Sequence, residues 1–141
     1  MQVEVMEARE ALEPPLAKLA ALNRTSKQVT TLREIIGKMR TLARNGDFDP
    51  YFDADKEFHI ALAEAVENRL VSATLIPLIN TMEQKLYREF THHYYLKDSA
   101  ALQRVVDLHE EILEAIAQGN PDAAFERMQE HWRRMSEISE T

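Results

Sequence analysis

The chain has 141 residues, a formal net charge of -7 at pH 7 and no cysteine. Its length fits a single domain that buries about two thirds of the surface of the unfolded chain. Because an acidic chain repels a phosphate backbone, nucleic-acid binding by this chain alone is not expected. The lack of cysteine excludes disulfides and thiolate zinc sites. With no signal-peptide profile and no apolar run long enough to cross a bilayer, we expect a soluble, cytoplasmic protein.

The composition, with only 3 glycines and many strong helix formers, predicts an all-α fold. In chain order, the first feature is Glu13-Pro14-Pro15, where the prolines remove backbone donors. This step predicts a break between two short helices, at about 3–12 and 15–23. A third helix is expected to begin at the capping box from Thr25 to Gln28 and to end at Asn45-Gly46.

The second half of the chain contains the remaining predicted helices. Every predicted loop is short except residues 91–98, so neighbouring helices should pack antiparallel. We therefore expect a single antiparallel bundle of about six to seven helices. The later helices are predicted at about 51–67, from about Val71, from a cap at Asp98 or Ser99, and from Asn120-Pro121 after Gly119.

Three of these helices place polar residues where the helical period requires apolar ones. In the fourth helix, Asp55 and His59 are four residues apart and project from the same face. His109 interrupts the apolar stripe of the sixth helix, and His131 interrupts that of the seventh. All four side chains are therefore predicted to face a shared interior.

Burying one carboxylate and three imidazoles without partners would be unfavourable, so something must satisfy them. A divalent metal would do so, and this set of oxygen and nitrogen ligands suits Zn, Ni, Mn, Co or Fe(II) in a helical bundle. The alternative is that each histidine has its own hydrogen-bond partner in the core and that Asp55 is exposed. Periodicity leaves both interpretations open.

Several motifs follow one another along nearly the whole chain. They are Glu7-x-Arg9-x-x-Leu12-Glu13-Pro14, Asp55-x-x-x-His59 followed by residues 61–68, His109-x-x-Ile112-x-x-Ala115-Ile116, Gly119 to Ala124, and Met128-x-x-His131. In this combination the chain resembles the FadR C-terminal domain, or FCD, the effector-binding module of GntR-type transcription regulators. The two later histidines, 22 positions apart across a glycine-containing turn, make the combination specific.

The resemblance assigns a role to the four polar residues. In the metal-binding branch of that family an Asp and three His hold the ion, and the matching positions here are Asp55, His59, His109 and His131. The implied cofactor is a divalent metal, with Zn as the first candidate and Ni, Mn, Co or Fe as the others.

The resemblance also implies that the metal binds a small carboxylate effector, which an arginine would contact through charge-assisted hydrogen bonds. Arg9 is the first candidate because it shares a helical stripe with Leu12 and Leu16. A solvated arginine between Glu7 and Glu10 is equally compatible with the sequence. The other candidate ligand-binding residues are Arg88, Asn80 and Gln84.

Members of that family normally place a winged helix-turn-helix domain ahead of this module, and we expect none within residues 1–141. DNA would then be bound only through a domain absent from this chain. The resemblance further implies a homodimer. The expected function is that of a sensor domain, in which effector binding shifts helix packing.

Two other functions are compatible with the residues. One is a metal-free helical protein-interaction module. The other is a metal-dependent hydrolase, since three His and an Asp could activate water. The constellation lacks an obvious general base and contains no His-Glu-x-x-His motif, so we expect no enzyme activity.

Overall fold

The computed structural model describes residues 2–81, 92, 93, 95 and 100–140. These residues form six α-helices and no strand, which confirms the predicted all-α bundle. None of the helices in this described part is long and apolar enough to cross a membrane. The helices are α1 (Gln2–Asn23), α2 (Ser26–Asn45), α3 (Phe48–Ala65), α4 (Arg69–Asn80), α5 (Ala101–Ala117) and α6 (Pro121–Glu140).

Helix α1 is continuous over 22 residues and contains both Pro14 and Pro15. The predicted division into two short helices is therefore wrong. Each proline removes one backbone donor and strains the preceding turn. However, α1 packs against α6 more extensively than against any other helix, and buried residues lie on both sides of the prolines, from Val5 to Ala21. Tertiary packing along the whole helix thus outweighs the local preference for a break.

The predicted caps of α2 and α6 are confirmed. The Thr25 hydroxyl accepts a hydrogen bond from the Gln28 backbone N–H at 3.2 Å, and the Gln28 side chain accepts one from Thr25 N–H at 3.0 Å. Gly46 ends α2 in the left-handed region, with a φ of 70°. The Asn120 side chain accepts a hydrogen bond from Ala123 N–H at 3.1 Å and so caps α6.

Two helix starts differ from the predictions by a few residues. Helix α3 begins at Phe48 rather than near residue 51. Helix α4 begins at Arg69 because the Asn68 side chain caps it, accepting from the N–H groups of Leu70 and Val71. The caps predicted at Asp98 or Ser99 lie outside the described residues.

The core lies where α1, α2, α3, α5 and α6 meet, with α4 packed mainly against α3. Its large, fully buried side chains are overwhelmingly apolar, and α2 contributes only apolar residues to it. The polar exceptions are few and lie close together. The buried polar and charged residues among those described are Arg9, Glu13, His59, His109 and His131.

The turn between α5 and α6 also holds the end of α1. Arg24, just past α1, donates a hydrogen bond from Nε to the carbonyl oxygen of Ala117 at 3.1 Å. Gly119 has a φ of 67°, and a Cβ atom there would lie 2.5 Å from the Arg24 guanidinium carbon. Only glycine therefore fits this turn while Arg24 keeps its position.

Candidate metal centre

Three histidines from three helices meet in the interior. His59 on α3, His109 on α5 and His131 on α6 are 2%, 0% and 1% exposed. Their nearest ring nitrogens all lie within 4.8 Å of one another. The helical periodicity thus placed all three imidazoles correctly, while their role as metal ligands remains a prediction.

Asp55 completes the cluster from one turn before His59. Its Oδ1 lies 2.8 Å from Nε2 of His109 and 3.2 Å from Nε2 of His59. The Asp55 side chain remains 27% exposed, so the cluster is closed on the histidine side and reaches solvent at the carboxylate.

Hydrogen bonds at the far sides of two rings fix their tautomers. Nδ1 of His109 lies 2.8 Å from the carbonyl oxygen of Val105, which can only accept, so Nδ1 holds the proton. Nδ1 of His59 in turn donates to Oε1 of Glu13. In the neutral rings, each Nε2 therefore presents a lone pair towards the cluster.

These lone pairs face one another and a carboxylate. Nε2 of His59 and Nε2 of His109 are 3.3 Å apart, and both are in contact with Asp55. Three electron-rich atoms at such distances repel one another unless a proton or a metal cation lies between them. Protonating both imidazoles instead would bring two buried positive charges into contact, which is also costly.

The cluster fits a divalent metal by its spacing and its donors. Two nitrogens bound to one Zn at about 2.1 Å lie roughly 3.0–3.4 Å apart at the usual bond angles. The separation of 3.3 Å between the Nε2 atoms falls in this range. His131 adds a third imidazole, whose Nδ1 is buried and has no hydrogen-bond partner among the described residues. A carboxylate with three imidazoles is a donor set that first-row divalent metals accept.

Burial and neighbouring charges set the ionisation of the cluster. Burial by itself would raise the pKa of Asp55, but the adjacent His109 and His59 hold it well below its usual range. Burial lowers the pKa of His131 far below its usual value, and repulsion from His109 and His59 adds to this effect. Asp55 is therefore a carboxylate and His131 a neutral imidazole, which are the states that bind metal.

Glu13 is a buried member of this polar cluster that the sequence analysis did not single out. It is 0% exposed, accepts the His59 proton through Oε1, and receives a hydrogen bond from Arg9 Nε to Oε2 at 2.5 Å. Burial opposes its ionisation, but Arg9 and His59 lower the pKa of Glu13 to about 2. Burial likewise disfavours the charged form of His59, yet Glu13 raises the pKa of that ring. Drawing α1 as one helix would have paired Arg9 with Glu13 at i, i+4, although this spacing alone does not show that the pair is buried.

Arg9 is 4% exposed, so the alternative of a solvated arginine is wrong. Its guanidinium lies over the Trp132 ring, 4.3 Å from the ring centroid. Nη2 of Arg9 and Nε1 of Trp132 are buried donors without a partner in the described part of the chain. Leu12, expected on the same stripe, is 42% exposed because the buried face of α1 passes through Glu13 instead.

The remaining candidate ligand-binding residues have different outcomes. Asn80 is exposed at the end of α4 and is not part of the buried cluster, and its predicted contact with the effector stays a prediction. The preceding residue, Ile79, lies on the buried face of α4 instead. Arg88 and Gln84 lie outside the described residues.

The fold and the donor set together define an all-helical domain with a polar interior site. The FCD domain family matches residues 4–134. The Uxu operon regulator of Haemophilus influenzae is 30% identical over 141 residues, covering 91% of this chain and 47% of that regulator. The HTH-type transcriptional regulator LutR of Bacillus subtilis is 27% identical, over 96% of this chain and 60% of its own length.

A solved structure agrees with these matches. Streptococcus agalactiae GntR superposes with a TM-score of 0.72 at 28% identity, over 96% of this chain and 57% of that one. The chain belongs to the FCD family, the effector-binding domain class of GntR-family transcription regulators. This domain is regulatory, in agreement with the prediction that it is not an enzyme. The chain spans about half the length of the curated relatives it matches.

Proposed function

We propose that this domain senses a small carboxylate through a divalent metal held by Asp55, His59, His109 and His131. The observation that supports this proposal is the meeting of two Nε2 lone pairs and one carboxylate oxygen within 3.3 Å. The metal would bind the two lone pairs and the carboxylate, and would supply a Lewis-acidic position for an oxygen of the effector. Zn is the first candidate, with Ni, Mn, Co and Fe(II) compatible with the same donors.

The effector would be recognised by more than the metal. Arg9 keeps Nε on Glu13, while its buried Nη2 lacks a partner among the described residues. A buried, unpaired guanidinium nitrogen is costly, and a carboxylate oxygen is the acceptor that it binds best. The proposed ligand class is therefore a small organic acid, with one oxygen towards the metal and another within reach of Arg9.

The metal is tested by elemental analysis of the purified chain, comparing it with the His109→Ala/His131→Ala double variant. We expect about one metal per native chain and almost none in the double variant. His93→Ala is the matched control because His93 is exposed, and it should keep its metal. Far-ultraviolet circular dichroism checks that each variant is helical.

Failure to bind metal, even after reconstitution with Zn, Ni and Mn, would contradict the proposal and favour a metal-free helical interaction module. If metal is present, thermal shifts with dicarboxylates, hydroxy acids and sugar acids test the effector class. An effector that binds only the folded state raises the melting temperature, and the stabilisation grows with the logarithm of the effector concentration once this exceeds the Kd.

For a complete regulator, we propose that effector binding changes how this domain holds a winged-helix domain on DNA, and that the domain forms a homodimer. A ligand can shift such an equilibrium only by its difference in affinity between the two packings. Light scattering of the chain measures its oligomeric state, and a monomer at micromolar concentration would contradict the dimer proposal.

A further inference from the structure

The first helix supplies none of the four proposed metal ligands, yet it touches the cluster directly. Glu13 reaches His59 through Oε1 and Arg9 through Oε2, so each carboxylate oxygen has its own partner. All three residues are at most 4% exposed. A buried carboxylate held in this way is rigid, since any other orientation would leave Arg9 or His59 unpaired.

We infer that Glu13 is a positioning residue, which orients His59 for the metal and links α1 to the occupancy of the site. This inference rests on the proposed function. By accepting the Nδ1 proton, Glu13 leaves the Nε2 lone pair of His59 directed at Asp55 and His109. A carboxylate in this place also increases the basicity of the imidazole, which strengthens its bond to a metal.

The other two imidazoles of the cluster have no comparable side-chain partner among the described residues. The Nδ1 proton of His109 is held by a backbone carbonyl on its own helix, at Val105. Nδ1 of His131 has no partner among the described residues. His59 is therefore the one imidazole of the three whose described Nδ1 partner is a side chain from another helix.

The linkage works in both directions. If α1 must hold Glu13 in place for tight metal binding, then metal binding must stabilise this placement of α1 by the same free energy. Arg9 belongs to the linkage because it holds the second oxygen of Glu13 and packs on Trp132, next to His131. Metal occupancy is thus coupled to α1 through two contacts, one at His59 and one at Trp132.

The experiment measures Zn affinity by competition with a chelating dye for the native chain, Glu13→Leu and Glu13→Gln. Loss of such an outer partner typically weakens metal binding about 10–100-fold, and we expect this for Glu13→Leu. Glu13→Gln keeps an acceptor for His59 but loses the charge, so its affinity should lie in between. Leu16→Ala is the matched control, since Leu16 is a buried apolar residue of α1 whose side chain can make no hydrogen bond to an imidazole, and its Zn affinity should stay within about threefold.

A second readout separates positioning from general stability. Nitrogen-15 NMR of the imidazoles reports which ring nitrogen holds the proton, and in native protein His59 should be the Nδ1–H tautomer. Glu13→Leu should lose this preference, while Leu16→Ala should keep it. This measurement needs only folded protein, and Glu13→Gln serves if Glu13→Leu does not fold.

Two results would overturn the inference, and they are distinguishable. If the native chain binds Zn and Glu13→Leu binds it equally tightly with an unchanged His59 tautomer, Glu13 has no positioning role. If the native chain binds no Zn at all, the proposed metal site fails, and this inference fails with it.

Discussion

Helices α1 and α2 have similar lengths, 22 and 20 residues, and both pack into the bundle, but they bury different kinds of surface. The buried residues of α2 are all apolar, and good caps mark both its ends. Helix α1 buries an arginine and a glutamate and contains two prolines. The buried charges of α1 are stabilised by specific hydrogen-bonded partners, whereas α2 is stabilised by close apolar packing. Substitutions in the two helices should therefore have different consequences.

The largest difference is expected for removal of an arginine. Arg9→Met should destabilise the fold by about 3–5 kcal/mol, because it leaves the buried Glu13 without its cationic partner. The matched control in α2 is Arg33→Met, which removes a pair with Glu114 whose side chains are 51% and 42% exposed. That change should have a much smaller effect, because solvent screens this exposed ion pair. Urea unfolding in the presence of a chelator measures both, and equal losses would contradict the contrast.

A cavity in α2 should have a smaller effect that does not depend on metal. Leu32 is 1% exposed, and Leu32→Ala should cost about 3 kcal/mol through lost burial and the cavity left behind. The loss should be the same with and without Zn, because α2 contributes nothing to the polar cluster. Urea unfolding under both conditions tests this, and a loss that changes with Zn would show that α2 is coupled to the site.

The smallest effect is a gain. Pro15 is exposed within α1, so Pro15→Ala leaves no cavity and restores a backbone donor to the helix. We expect a stabilisation of about 1 kcal/mol, since the helix preference for Ala is partly offset by a freer unfolded chain. Gly37→Ala in α2 is the parallel change, because a Cβ there meets nothing within 4 Å. Thermal unfolding compares the two, and a loss of stability in Pro15→Ala would mean that the proline shapes the packing of α1.

The same contrast explains how much the sequence could predict. The period of apolar residues locates helix faces that are buried through apolar packing. The helices α2, α5 and α6 were therefore predicted nearly as they are. It also located the three histidines, because His109 and His131 each interrupt an apolar stripe and His59 shares an inward face with Asp55. For Asp55, the prediction that it lies beside His59 holds, although its side chain is only partly buried.

The sequence could not identify Glu13 because a buried ion pair looks like an exposed one. Arg9 and Glu13 stand four residues apart, the spacing that is common on solvated helix faces. The prolines after Glu13 reinforced the error by predicting a helix end there. Only the packing of α1 along α6, which joins residues distant in sequence, shows that this face is internal. Recognising charged partners that are buried between distant helices thus requires the three-dimensional structure.

Arg24 fixes one end of α1 at the α5–α6 turn, so a tilt of α1 would move its other end most. One end is tied through Arg24 to Ala117 and packed against Gly119, and the contact with His59 lies near the middle, at Glu13. A helix of 22 residues is about 33 Å long. If its tied end acts as the pivot, a tilt of about 5° displaces the opposite end by about 3 Å. A smaller displacement of the helix at Glu13, near its middle, would therefore be amplified at the start of the helix.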